Sequence, residues 1–96
     1  MRKYIKDKVD IIFYAGGNLK HKIIVYGAPW CPWCHRAKDF LNESKIEFED
    51  RDVDKRPEYA QEVINKSGQM GIPVIDIDGN IIIGFNKDAI KKALGL

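Results

Sequence analysis

Two cysteines stand three residues apart in the segment Cys31-Pro-Trp-Cys34. An apolar run precedes them and a helical pattern follows, which predicts a turn from a strand into a helix. Cys31 then lies at or next to the N-cap, where unpaired N–H groups and the helix dipole favour a thiolate. Cys34, one turn deeper on the same helix face, is within reach of Cys31. This arrangement predicts disulfide exchange, with Cys31 as the nucleophile and Cys34 as the resolving thiol.

The residues alone leave other interpretations of the pair open. Two structural core cysteines would not explain the prolines and tryptophans at a helix start. A zinc site needs four ligands, and besides the cysteines the chain offers at most His21 and His35. It has no second Cys-x-x-Cys, which argues against a closed zinc site within one chain. The segment ending in His35 also matches the c-type haem attachment motif, but the strand before it and the lack of an export signal argue against haem. A metal cluster shared between two chains through Cys31, on a non-enzymatic module, is the remaining alternative.

Composition limits the class of protein. The 96 residues carry a formal net charge of +2 with both signs interspersed, which gives no basis for a nucleic-acid or membrane-surface partner. No apolar run approaches the ~20 residues of a membrane-spanning helix, and no secretory signal is recognisable, so we expect a cytoplasmic protein. Structural disulfides are rare in that compartment, so a close cysteine pair favours redox chemistry or metal binding.

Hydrophobic spacing predicts the elements that position the cysteines. In chain order these are a strand over Lys22–Tyr26, a helix from Pro32 to about Ser44, a strand over Ile46–Arg51, a helix with Asp54 as candidate N-cap that ends near Ser67-Gly68, a strand over Gly71–Ile77, a strand over Asn80–Gly84 and a helix capped by Asn86. The second helix is expected to bury Tyr59, Ala60, Val63 and Ile64.

The order β-α-β-α-β-β-α predicts an α/β fold. Its first half requires a parallel strand pair, and Asp78-Gly79 predicts an antiparallel hairpin in its second half. The simplest sheet is four-stranded and mixed, with helices on both faces. The chain therefore divides into an N-terminal extension (1–21) and a domain (22–96). Within the extension, Asp10–Tyr14 could form an extra strand beside Ile46–Arg51, and a mobile tail is the alternative.

Four segments resemble the ordered landmarks of glutaredoxins, members of the thioredoxin superfamily. They are Val25-Tyr26, Cys31-Pro-Trp-Cys34, Gly71-Ile-Pro-Val74 and Gly84-Phe85, and the resemblance covers about Lys22–Leu96. It implies a thioredoxin-like fold, a redox-active disulfide between the two cysteines and no bound cofactor. It further implies a monomeric dithiol–disulfide oxidoreductase acting on disulfide-containing protein substrates.

The resemblance also implies a substrate groove. Pro73 matches a cis-proline that faces the cysteines and leaves the backbone of Ile72 free to pair with a peptide or glutathione, whereas a bulge proline is the structural alternative. Trp33 matches an aromatic position of the groove, and Trp30 is similar to the tryptophan before the first cysteine of thioredoxins. The expected substrate-binding residues are Trp30, Pro32, Trp33, Ile72, Pro73, Gly84 and Phe85, and no metal-binding residue is expected.

Two departures from the family pattern concern the reductant. Glutathione-dependent members usually place a lysine shortly before the first cysteine, where this chain has the uncharged Tyr26–Pro29. They also carry Gly-Gly followed by acidic residues after the hairpin, where Ile83–Asp88 has one glycine and a displaced acid. The pattern Gly-Phe-x-x-Asp is more similar to the glutaredoxin-like electron donors of ribonucleotide reductase, which thioredoxin reductase recharges. The expected reductant is thioredoxin reductase or glutathione, with ribonucleotide reductase as a candidate substrate.

Overall fold

A computed structural model describes residues 21–96 of the chain. The predictions for the N-terminal extension, including a strand over Asp10–Tyr14, lie outside the described residues. The elements are β1 (Ile23–Gly27), α1 (Pro32–Glu43), β2 (Glu49–Asp52), α2 (Pro57–Ser67), β3 (Val74–Ile77), β4 (Asn80–Ile83) and α3 (Lys87–Leu94). Their order confirms the one that the sequence predicts.

The four described strands form one mixed sheet in the order β2-β1-β3-β4. β1 pairs in parallel with β2 and antiparallel with β3, and β3 pairs antiparallel with β4. The hairpin turns at Asp78 and Gly79, which both have positive φ angles, of 54° and 91°. Such a turn matches the twist of the flanking strands, so the Asp-Gly pair fixes the hairpin as predicted.

β1 is buried on both faces and contributes to two hydrophobic clusters. Ile23 and Val25 lie in the first cluster, with apolar residues of α1 and α3. Ile24 and Tyr26 lie in the second cluster, with Val63 of α2. The alternation follows from the period of two along a strand. Helices therefore cover both faces of the sheet, as predicted, and β1 is held in its position from all sides.

Three strands begin later than the sequence predicts, β1 by one residue and β2 and β3 by three. β2 starts at Glu49 and not at Ile46, because the Ile46 N–H bonds back to the Leu41 carbonyl at the end of α1 (2.8 Å). Ile46 nevertheless packs against the first cluster, so its apolar side chain is accounted for without strand pairing. β3 starts at Val74 because the preceding Pro73 has no N–H to donate into a ladder.

The start of α2 also differs from the prediction. Arg56, not Asp54, is the N-cap, and its extended backbone (φ −135°, ψ 120°) precedes Pro57 in the first turn. A residue before proline is disfavoured in the helical region, which sets this boundary. Ile64 was expected to be buried and is 37% exposed.

None of the helices within residues 21–96 has the length and apolarity to cross a membrane.

Candidate active site

β1 ends, β3 begins and β4 ends at the same edge of the sheet. The register shows this, because Tyr26 pairs with Val74 and Val74 pairs with Ile83. The turn that carries Cys31 follows β1, and Pro73 directly precedes β3. Segments that are some forty residues apart in sequence are therefore brought together at one edge.

Cys31 is the N-cap of α1. Its backbone is extended (φ −93°, ψ 109°), and its Sγ accepts a hydrogen bond from the backbone N–H of Cys34 at 3.2 Å. Pro32 follows in the first turn, where a missing N–H costs no intrahelical hydrogen bond. The sulfur of Cys31 thus lies at the positive end of a helix and accepts one of its unpaired N–H groups.

Cys34 lies in a different environment within the same helical turn. It is fully buried, whereas Cys31 is 5% exposed, and both are free thiols. Burial, followed by the hydrogen bond with Cys31, raises the pKa of Cys34 to about 12. The positive charge of Lys38, one turn further along α1, lowers the pKa of Cys34 in the opposite direction. At neutral pH Cys34 is therefore protonated.

Gly27, the last residue of β1, packs directly against Cys34. A Cβ added to Gly27 would lie 3.0 Å from both the Cβ and the Sγ of Cys34. Gly27 was not predicted as a site residue, and its one signal in the sequence is a glycine at the end of an apolar strand. The contact depends on how α1 lies over the sheet, which no local pattern gives.

The bond between Ile72 and Pro73 is cis, as the resemblance implied. Pro73 is buried, and its carbonyl accepts a hydrogen bond from the Gly84 N–H at 2.8 Å. Gly84 therefore contacts the proline segment at the site. Phe85, in contrast, packs against Phe40 with ring centroids 6.0 Å apart, and both side chains lie against the first cluster. Its proposed contact with substrate stays a prediction.

Two exposed tryptophans flank Cys31, and a charged residue holds each of them. Trp30 is 67% exposed, and its indole N–H donates to the Asp54 carboxylate at 2.7 Å. Trp33 is 55% exposed, and the Arg36 guanidinium lies 4.8 Å from the centre of its ring. Asp54 was predicted to cap α2, but its carboxylate accepts the hydrogen bond from Trp30 and Arg56 is the N-cap.

Polar groups lie around a cavity of about 140 Å³ beside this turn. Its lining includes Gly27, His35, Lys38 and Asp50. The His35 imidazole hydrogen-bonds to the Pro29 carbonyl at 2.6 Å, and Lys38 forms an ion pair with Asp50 at 3.1 Å. Within residues 21–96, no group of three or more His, Cys, Asp or Glu side chains is arranged to hold a metal ion.

Comparison with known proteins identifies the family. The glutaredoxin family model matches residues 23–82. A glutaredoxin-like 8.6 kDa protein in the rubredoxin operon of Clostridium pasteurianum is 44% identical over 75% of this chain and 96% of its own length. The chain belongs to the glutaredoxin family. Glutaredoxin 3 of Escherichia coli is 35% identical over 62% of this chain and 72% of its own length.

A solved structure agrees with this glutaredoxin assignment. The glutaredoxin-like protein NrdH-redoxin from Escherichia coli has a TM-score of 0.66 and 30% sequence identity, covering 74% of this chain and 92% of its own. That protein is described as having a thioredoxin-like activity profile. As a glutaredoxin-family protein with a thioredoxin-like fold, the chain is a thiol–disulfide oxidoreductase.

Proposed function

We propose that this protein reduces disulfides of other proteins through a dithiol mechanism. The Cys31 thiolate attacks a substrate disulfide, so that a bond forms between Cys31 and one substrate sulfur while the other sulfur leaves as a thiolate. Cys34, once deprotonated, attacks the Sγ of Cys31 and displaces the second substrate sulfur. The products are a Cys31–Cys34 disulfide and a dithiol substrate, which has gained two electrons and takes up two protons.

The main support for a protein substrate is the exposure of Trp30 and Trp33 beside Cys31. Large aromatic side chains that remain more than half exposed are typical of surfaces that bind a partner. The backbone of Ile72 supports the same proposal, because its N–H and C=O form no hydrogen bond within the described part of the chain. An extended segment of substrate can pair with Ile72 next to the mixed disulfide.

The surroundings of Cys31 favour thioredoxin reductase over glutathione as the reductant. Glutathione carries two carboxylates that need cationic partners, and the loop from Gly27 to Trp30 has none. Two nearby cations are engaged elsewhere, since Arg36 lies over Trp33 and Lys38 pairs with Asp50. We further propose that the protein acts as a monomer in the cytoplasm, with ribonucleotide reductase as a candidate substrate.

A coupled assay tests the reductant. Oxidised protein is supplied with NADPH and either thioredoxin reductase or glutathione plus glutathione reductase, and NADPH consumption is followed in the presence of insulin as disulfide substrate. We expect turnover with thioredoxin reductase and little with glutathione. Turnover with the glutathione system alone would contradict the proposed reductant.

Two cysteine variants test the mechanism. Cys31→Ser is expected to abolish insulin reduction, because no nucleophile remains at the helix start. Cys34→Ser is expected to accumulate a stable mixed disulfide with one substrate chain, detected by mass spectrometry after acid quenching. Activity that survives Cys31→Ser would contradict the mechanism, and full turnover of Cys34→Ser on glutathione mixed disulfides would indicate monothiol chemistry instead.

A further inference from the structure

Gly27 and Cys34 are in closer contact than any larger residue at position 27 would allow. A Cβ on Gly27 would lie 3.0 Å from the Cys34 Cβ and 3.0 Å from its Sγ. Carbon atoms that are not bonded to each other normally approach to about 3.5–4.0 Å. The sulfur of Cys34 therefore occupies space that exists because residue 27 has no side chain.

The backbone of Gly27 does not itself require glycine. Gly27 continues the regular parallel pairing of β1, opposite Asp52 of β2. Its φ angle lies outside the left-handed region, unlike those of Gly68, Gly79 and Gly84. An alanine can adopt this backbone, so the feature that glycine provides here is space and not conformational freedom.

Other contacts hold β1 and α1 in place, so the two elements cannot simply separate. The Gly27 carbonyl accepts a hydrogen bond from Val53 N–H at 2.9 Å, which holds the end of β1 against the segment after β2. Ala37 and Leu41, both fully buried, hold α1 on the sheet. An added methyl group would therefore turn the Cys34 Sγ away by rotation about χ1. The Cys34 Cβ is fixed to the backbone, so that contact is relieved by a local shift of a few tenths of an ångström.

We propose that Gly27 is a positioning residue for the second exchange, because its missing Cβ gives the Cys34 sulfur the place from which it attacks Cys31. This inference rests on the dithiol mechanism proposed above. In that step the Cys34 thiolate forms a bond to the Cys31 Sγ, and the bond between Cys31 and the substrate sulfur breaks. The substrate sulfur leaves with the electron pair and takes up a proton. Gly27 does not touch the substrate and acts through Cys34.

The variant Gly27→Ala separates this role from a general effect on the fold. We expect the second exchange to slow about tenfold, because overpacking a close contact costs roughly as much free energy as a tenfold change in rate. The first exchange, which Cys31 performs alone, should be unchanged. The lifetime of the mixed disulfide with insulin, measured by acid quenching and mass spectrometry, reports the second exchange.

The first exchange is measured in variants that lack the resolving cysteine, Cys34. Cys34→Ala and Gly27→Ala/Cys34→Ala are each mixed with 5,5′-dithiobis(2-nitrobenzoate), and release of the coloured thiolate gives the rate of attack by Cys31. Equal rates in the two proteins, together with a longer mixed-disulfide lifetime in Gly27→Ala, support the proposal. Equal slowing of both exchanges, or no change in the lifetime, would overturn it.

Two control variants separate the role of Gly27 from a folding defect and from a failure of the dithiol mechanism. If Gly27→Ala does not fold, the double variant Gly27→Ala/Cys34→Gly supports the proposal by folding, because it lacks both the Cβ and the Sγ that the new methyl group meets. Failure of both to fold would overturn it. If Cys34→Ala alone turns over insulin as fast as the unchanged protein, the dithiol mechanism itself is wrong, which is distinct from a failure of Gly27.

Discussion

Within one helical turn, two identical side chains have different surroundings. Cys31 lies at the end of α1 and accepts the N–H of Cys34 at 3.2 Å, whereas Cys34 is enclosed between α1 and β1. Burial raises the pKa of Cys34 to about 12, so this thiol is protonated at neutral pH before the second exchange. The order of the two exchanges follows, because the sulfur at the start of the helix attacks first and the fully buried one reacts only after it loses its proton.

Lys38 is expected to assist that deprotonation. Its positive charge lowers the pKa of Cys34 against the larger effect of burial. Lys38→Met removes the charge and keeps most of the stem, so the pKa of Cys34 rises further and less thiolate forms at a given pH. We expect the decay of the mixed disulfide to slow at neutral pH and its pH profile to move upward. Lys38→Arg is the control, and a profile that Lys38→Met leaves in place would contradict this role.

Asp54 is expected to act on substrate binding through Trp30. Asp54→Ala removes the acceptor of the Trp30 indole N–H and frees the ring to rotate. We expect KM for insulin to rise about fivefold, the equivalent of a typical hydrogen bond of about 1 kcal/mol, with kcat unchanged. Asp54→Asn keeps an acceptor oxygen and serves as the control. A similar KM change for both variants, or a fall in kcat alone, would contradict the positioning of Trp30 by Asp54.

At this scale the sequence predicted the residues that carry chemical signals of their own. The cysteine spacing has a local physical meaning, whereas the role of the proline before β3 was implied by the resemblance to glutaredoxins. Gly27 and the contact between Asp54 and Trp30 could not be predicted, because they depend on residues from separate segments meeting in the fold. A glycine and an aspartate are common in loops, and neither reveals its partner.

Among the elements, α2 is joined to the sheet by a polar cluster as well as by apolar contacts. The Tyr26 hydroxyl donates to Glu62 at 2.6 Å and accepts from Lys66 at 2.9 Å. Lys66 also pairs with Asp76 of β3 at 2.7 Å, and Arg51 of β2 bonds to Glu62. The cluster therefore connects β1, β2 and β3 to α2, and it includes the hydroxyl of the buried Tyr26.

This cluster predicts a pH dependence of stability. The hydrogen bond from Tyr26 and that from Arg51 lower the pKa of Glu62. A carboxyl group with a lowered pKa stabilises the fold above its unfolded value, about 4.3, and this contribution is lost as the pH falls through the folded value. Glu62→Gln should therefore reduce the loss of stability on acidification. Urea unfolding over a series of acidic pH values measures this.

The control for that measurement is Glu58→Gln, which removes one carboxylate from an exposed position of the same helix. We expect the slope of stability against pH to flatten in Glu62→Gln relative to this control. Identical slopes in the two variants would show that Glu62 contributes nothing to the acid response.

Element order and type were predicted well, and element ends less well. Hydrophobic periodicity identifies an element because many residues contribute to it. An end depends on a single bond or backbone angle, such as the Ile46 N–H turning back to Leu41 or the proline after Arg56. The alternation of Ile46 and Phe48 is real, but it serves packing against the first cluster and not strand pairing.

At the scale of the whole molecule, the segments that form the site meet at one edge of the four-stranded sheet. The sequence predicted a four-stranded mixed sheet but not the register that places Pro73 beside the end of β1. The turn of the β3–β4 hairpin, at the opposite end of these strands, is tied to the start of the domain. Asp78 accepts the backbone N–H of Lys22 at 2.7 Å and contacts the His21 imidazole.

A pair of deletions tests whether the domain stands by itself. Removal of residues 1–20 keeps the contacts of His21 and Lys22 with Asp78 and leaves the predicted domain (22–96) whole, so we expect a folded protein that reduces insulin. Removal of residues 1–22 loses these contacts. Its midpoint should fall by about 4–8 °C for each kcal/mol lost in a domain of this size. Loss of folding in the shorter deletion would contradict the division of the chain.

The hydrogen bond between the Cys34 amide and the Cys31 sulfur has a spectroscopic consequence. The acceptor atom is the one that changes from thiolate to mixed disulfide to intramolecular disulfide, so the electron density at this acceptor changes at every stage of turnover. An amide proton resonance shifts with the strength of its hydrogen bond. The single Cys34 cross-peak in a ¹⁵N spectrum should therefore take a separate position for each state, and would allow the cycle to be followed in solution without a label on either thiol.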